Sequence, residues 1–244
     1  MSGREVEVSA YGRTAHLNVL DDDAIAAIRD RLPPEFLVRA RDSGSTAERE
    51  WTADAPETLT RVLGELELWV AEWADDRVFV HAGCVAWRGH AIVVPGRSHS
   101  GKTTLTVALL RRGAAYMSDE YAVLSTNGKV HAYPRRLRIR QAAGWSPIDP
   151  AELGAGVEPG PLPVAVVARL DYAPAAQEMT RVSGARGVVE MLDNTVCARS
   201  RPQIAMDAVS ASASRALVVV GRRGEADDTA RRLLGLVEEQ VGAS

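Results

Sequence analysis

Hydrophobic and polar positions change period several times along the 244 residues, and those changes mark out the elements. Glu5–Ala10 and Ala15–Leu20 alternate weakly, which predicts two short strands. Asp21-Asp22-Asp23 then predicts an N-cap and a solvated start for a helix over about residues 22–32, stopped by Pro33-Pro34. Phe36-Leu37-Val38-Arg39 predicts another strand, and residues 42–47 a loop. From Pro56 the spacing lengthens: Leu59, Val62, Leu63, Leu66, Trp69, Val70 and Trp73 recur at three and four, predicting a packed helix to about Ala74.

The pattern then becomes strand-like and strongly apolar. Arg77–Trp87 predicts a strand, Arg88-Gly89 a turn, and Ala91-Ile92-Val93-Val94 a fully buried strand. Thr103–Arg112 predicts a helix ended by Gly113. Ala114–Leu124 predicts one strand, and Asn127-Gly128 a hairpin turn returning through Val130–Tyr133. Residues 141–162, rich in Gly and Pro, predict an irregular surface loop. Val164–Leu170 predicts a buried strand, followed by helices near 184–194 and 202–213, a strand over 216–220 and a last helix over 226–241. Alternating strands and helices from residue 76 onward indicate an α/β domain, 76–244, preceded by a small α+β unit, 1–75.

Composition narrows the function classes. Hydrophobic residues make 46% and charged residues 25% of the chain, and the net charge is -3, which argues against a general nucleic-acid or anionic-membrane binder. No apolar run approaches the roughly 20 residues of a spanning helix, and the N-terminus lacks the apolar stretch of a signal peptide, so the expected location is cytoplasmic. Cys84 and Cys197 form no disulfide framework or zinc pattern and read as buried apolar residues. The 29 basic residues include only two lysines, Lys102 and Lys129. One of the two therefore stands where a compact ammonium is needed, in the motif that follows.

Gly96-Arg97-Ser98-His99-Ser100-Gly101-Lys102-Thr103 meets the pattern G-x-x-x-x-G-K-[ST], between a buried strand and a helix. Such a loop turns its backbone N–H groups toward phosphate oxygens, with the helix N-terminus behind them. Gly96, Arg97, Ser98, His99, Ser100, Gly101, Lys102, Thr103 and Thr104 are therefore candidate nucleotide-binding residues. Lys102 would reach the β- and γ-phosphates, and the Thr103 hydroxyl would ligate Mg2+. Asp119, 17 residues after Lys102, and Glu120 stand inside the next strand, where an acid could hold the metal or accept a hydroxyl proton. His81, on an apolar strand, reads as either a packed core residue or a site member. Arg136, Arg138 and Arg140 would share one face of a strand, and Arg140 is a candidate phosphate ligand.

Val80-His81-Ala82-Gly83, the loop lysine 21 residues after His81, and the acidic pair 17 residues beyond it together resemble the HPr kinase/phosphorylase family. The resemblance covers roughly residues 77–125. It implies a P-loop core with a mixed sheet flanked by helices, like that family's C-terminal domain. It also implies that Asp119 is the catalytic acid/base with His81 orienting it, that Lys102 acts on the phosphates, and that Thr103, Asp119 and Glu120 serve the metal. Glu120 stands where the family has Asp, and the family's Glu-x-Arg-Gly signature is not visible after Arg140. The size is similar to that of smaller relatives that phosphorylate ribosomally made peptides, lasso-peptide precursors among them.

The expected function is thus an ATP- and Mg2+-dependent kinase acting on a hydroxyl, foremost serine, of a peptide or small protein. GTP and pyrophosphate stand open as donors, and homo-oligomerisation stands open too. The competing readings are a P-loop ATPase, a nucleotide-binding sensor without transfer, and a kinase for a small hydroxylated metabolite.

Overall fold

The computed structural model describes residues 3–97, 100–141, 144–174 and 178–242, without the side chains of Arg140, Gln141 and Trp145. The chain divides into two compact units, Met1–Arg77 and Val78–Ser244.

The first unit opens with β1 (Arg4–Ala10) and β2 (Arg13–Val19), an antiparallel hairpin with Arg4 opposite Val19. Its two-residue turn, Tyr11-Gly12, has positive φ at both positions, the twist that tight hairpins require. Asp21 caps α1 (Asp22–Arg31) by accepting from the Ala24 amide at 2.8 Å. Then come β3 (Leu37–Ala40), β4 (Arg49–Ala53) and α2 (Pro56–Trp73) in the sheet order β3-β1-β2-β4. The edge strand β4 has no apolar alternation to announce it; only Ala53 is buried. Alternate residues Val6, Val8, Leu17 and Val19 are buried, as are Leu59, Val62 and Leu66 of α2, which packs on β2 and β4. Trp69 is buried and meets Trp51 edge-on, whereas Trp73 is exposed.

The second unit is mixed α/β, built on an eight-stranded sheet. Its strands are β5 (Arg77–Trp87), β6 (His90–Pro95), β7 (Ala115–Ser118), β8 (Tyr121–Ser125), β9 (Val130–His131), β12 (Val164–Tyr172), β13 (Glu178–Val182) and β14 (Leu217–Arg223). A separate hairpin pairs β10 (Leu137–Gln141) with β11 (Gly144–Ile148). The large sheet runs β13-β14-β12-β6-β5-β8-β9, with β7 also on β5. It is mixed: β6, β12 and β14 are parallel, whereas β5 and β13 are antiparallel to their neighbours.

Strand alternation assigns the core to two sheet faces. Ala91 and Val93 join Val80, Ala82 and Cys84 in a cluster shared with α5 (Pro202–Ala213), while Met191 of α4 (Gly184–Leu192) joins it from the same side. Ile92 and Val94 join Leu105, Leu109, Leu233 and Val237 on the opposite face, where α3 (Lys102–Arg111) and α6 (Ala226–Gly242) lie. Helices thus cover both faces, as a sheet with parallel central strands requires. Cys84 and Cys197 are buried and are not joined in a disulfide. No helix among the described residues is long and apolar enough to cross a membrane.

Three expectations change. The strand over 114–124 breaks at Asp119-Glu120, separating β7 from β8, and the pairing of β7 with β5 shifts register just before it, between Tyr116 and Ser118. Residues 141–162 are not wholly irregular: they hold β11 and a short 3-10 helix, Pro150–Leu153, capped by Asp149. Glu178–Val182, polar along most of its length, is an added edge strand.

Candidate functional site

Strand β6 ends at Pro95 and α3 starts at Lys102, so the Gly96–Thr103 segment joins an interior strand to a helix at the end of the sheet. Three glycines allow the chain to close up here. A Cβ at Gly96 would stand 2.7 Å from Ser100 Oγ. Gly101 is the helix N-cap at φ 81, left-handed backbone that glycine adopts freely. Gly83 on β5 lets α3 approach, since a Cβ there would lie 2.7 Å from Thr106 Oγ1. The Gly96 amide donates to His81 O at 3.1 Å, tying the loop to β5.

Lys102 Nζ folds back to donate to the carbonyls of Gly96 (2.8 Å) and Arg97 (2.9 Å). Burial lowers its pKa, nearby Glu120 and Asp119 act to raise it, and Arg169 lowers it further. Thr103 is half-buried, Thr104 is exposed, and Arg97 is exposed on the loop. Ser98 and His99 lie outside the described residues, as does the side chain of Arg140.

The break at Asp119-Glu120 separates the two acids. Ser118, fully buried, accepts from both following amides, Glu120 N (3.1 Å) and Tyr121 N (3.0 Å), which fixes the bend. Glu120 O accepts from Ala82 N and anchors it to β5. Asp119 is 6% exposed and takes hydrogen bonds from Thr103 Oγ1 (3.1 Å) and Tyr116 OH (3.0 Å). Burial raises its pKa; Arg135 and the two hydroxyl donors pull it down, and Glu120 adds to the rise.

Glu120 faces elsewhere. Its carboxylate lies 3.8 Å from His81 Nδ1 and 3.9 Å from Arg135 Nη2. The His81 ring lies 4.7 Å from that of Tyr121, centre to centre. Burial lowers the His81 pKa; Glu120 opposes that effect and Lys102 adds to it. His81 therefore pairs with Glu120, and not with Asp119 as the resemblance implies. All of the described candidates gather at one end of the sheet, and Asp119 is joined there to Thr103.

Three further residues shape the site. Tyr116 is buried beneath Asp119, and burial, then the Asp119 charge, raises its hydroxyl well above the usual range. Arg135 belongs to the basic stretch of the sequence, but only the fold distinguishes it from Arg136 and Arg138. Arg223, buried at the end of β14, donates to Gly101 O at 3.1 Å and to Gly224 O at 3.2 Å. Its guanidinium lies over the Tyr172 ring, and a Cβ on Gly101 would collide with it. Arg222-Arg223 carries no motif, so nothing in the sequence marks this clamp.

Of these groups, Gly101, Lys102, Thr103, Asp119, Glu120 and Arg135 border a cleft of about 780 Å³, within the size range of small-molecule sites. Lys102, Thr103, Asp119 and Glu120 line one end, while Val107, Arg111, Arg138 and Ile139 extend it along α3. Among the described residues no cluster of three or more His, Cys, Asp and Glu side chains could hold a metal. The oxygens of Thr103 and Asp119 are hard donors, of the type that Mg2+ takes when phosphate supplies its other ligands, and could hold it. The sequence matches no known protein family, and no curated protein is significantly similar to it.

Proposed function

We propose that the chain is an ATP- and Mg2+-dependent kinase of the HPr kinase-like P-loop class, which phosphorylates a hydroxyl, foremost serine, on a peptide or small protein. The observation that carries this reading is the division of labour between neighbouring acids: Asp119 on Thr103, Glu120 on His81. Phosphoryl transfer needs a charge clamp for the phosphates and a separate acceptor for the hydroxyl proton. Loop amides, the start of α3 and Lys102 are suited to the first task. Thr103 Oγ1 and Asp119 would hold Mg2+, which when bound neutralises phosphate charge. Glu120, beside a His81 that burial keeps from being protonated, suits the second task. Arg135 offsets the two carboxylates and keeps Glu120 oriented.

Incubation with γ-labelled ATP, Mg2+ and serine peptides tests this reading. Label should pass to a serine hydroxyl, and Glu120→Gln should lower transfer by about 10²- to 10⁴-fold, the usual contribution of a general base, while ATP still binds. Full transfer by Glu120→Gln, or release of phosphate to water in preference to every peptide, would overturn it.

A further inference from the structure

A second cleft, of about 410 Å³, lies on the other side of the loop and is lined by His81, Arg97, Asp193, Asn194 and Thr195. The larger cleft is lined by Glu120 and not His81; the smaller by His81 and not Glu120. The two side chains stand 3.8 Å apart, and Lys102 of the larger cleft donates to Arg97 O of the smaller at 2.9 Å, so the linings touch at both places. The described loop residues sort in the same way: Arg97 borders the smaller, Gly101, Lys102 and Thr103 the larger.

The wall of the smaller cleft is firmly built. Beyond the last β5–β6 pair, Ala82 opposite Pro95, residues 194–195 take over the edge of β5. Val80 bridges Thr195, and His81 N donates to Asn194 O at 2.8 Å. Asn194 Nδ2 and Thr195 Oγ1 are each committed to α4 carbonyls, Glu190 O and Met191 O, at 2.9 Å. Asp193 and Arg97 are exposed at the rim, one charge of each sign.

We infer that the smaller cleft admits the acceptor, a serine side chain presented by an extended peptide, while the nucleotide occupies the larger one. This rests on the kinase reading above. The nucleotide needs the larger space, beside Lys102 and Thr103, and its terminal phosphate then lies at the partition. An acceptor in the same cleft would compete with it, whereas one entering past His81 meets the phosphate from the opposite side, the in-line geometry that phosphoryl transfer requires. The serine oxygen bonds to the γ-phosphorus as the bond from that phosphorus to the β,γ-bridging oxygen breaks. The nucleoside diphosphate leaves with the electron pair, and the hydroxyl proton passes to Glu120. The opposed rim charges suit a peptide carrying a basic residue on one side of the serine and an acidic one on the other.

The acceptor need not be known to test this. Asp193→Cys can be derivatised with hydroxyethyl or hydroxyhexyl methanethiosulfonate, placing a hydroxyl in the smaller cleft; Cys84 and Cys197 are buried and shielded. With γ-labelled ATP and Mg2+, label released by dithiothreitol should exceed that of a methylthio-capped control by about tenfold or more, since a tethered reactant is held at high effective concentration. Glu120→Gln in the same background should abolish it, and the same tethers on Arg138→Cys in the larger cleft should stay unlabelled. Should Asp193→Cys not fold, Arg97→Cys brings the tether from the opposite rim. ATP binding with no labelling at either tether length, or equal labelling from Arg138→Cys, overturns the acceptor cleft and leaves the kinase reading standing. Failure of the unmodified protein to bind ATP overturns that reading, and the acceptor cleft with it.

Discussion

Asp119 has a raised pKa because a carboxylate is held almost out of water, and this has a consequence for stability. A raised folded value means that the folded protein binds the proton more tightly than the unfolded chain does. The contribution to stability is then full below the unfolded value, about 4, and is lost as pH rises through the folded one. In metal-free protein at neutral pH, Asp119→Asn is therefore expected to melt no lower than the wild type, while losing Mg2+-dependent ATP turnover. Thermal melts across pH in chelator, read beside turnover, check both halves. His81 has the opposite sign. Its lowered pKa supplies stability above the unfolded value, about 6.5, that is lost as pH falls through the folded one. His81→Gln should flatten stability across that window, as measured by denaturant midpoints.

At the scale of elements, the bend between β7 and β8 does what a regular strand cannot. Adjacent residues of a strand point to opposite faces, so one acid would be carried away from the loop. The Ser118 hydroxyl receives two amides and holds the bend from which Asp119 meets Thr103 while Glu120 meets His81. Ser118→Ala should cost about 1–3 kcal/mol, from amides left unsatisfied in a buried place, and lower turnover together with stability. Gly83→Ala is expected to cost about 1–3 kcal/mol through the clash with Thr106, with a rise in ATP Kd because Lys102 sits on the displaced helix. Denaturant titration and calorimetry separate the two effects.

The same bend shows what was legible in the sequence and what was not. The apolar run Ala91–Val94, the glycines around it and Lys102 announce strand, loop and helix, because buried strands and tight turns leave compositional marks. The hairpin at Asn127-Gly128 is announced in the same way, and Val123 does face His131 across it. The break at Asp119 leaves none, since Ser118 looks like any small strand residue. Polar edge strands such as Arg49–Ala53 and Glu178–Val182 lack the alternation that a half-buried strand shows. The pairing of His81 with Glu120 is a three-dimensional fact: the resemblance assigns His81 to Asp119, and spacing alone does not separate two adjacent acids.

For the whole molecule, the chain divides into two compact units. Val78–Ser244 contains both faces of the large sheet and all the described site residues. Expressed as residues 76–244, it is expected to fold alone and to bind ATP within a few-fold of the full chain. Circular dichroism and calorimetry check this; loss of the folded state would show that the first unit is required for the second.

The order in which these parts leave the ribosome follows from Arg223. The loop begins at Gly96 and β5 precedes it, yet the strand on the other side of β6 is β12, and the guanidinium that braces Gly101 arrives with the end of β14. Gly101 and the arginine that braces it are thus separated by more than a hundred residues of synthesis, 223 − 101 = 122. A growing chain carries the whole glycine-rich segment long before Arg223 can brace it. Nascent chains stalled before β14 should therefore ignore ATP, and the capacity to bind it should switch on only when the last strand is free to enter the sheet.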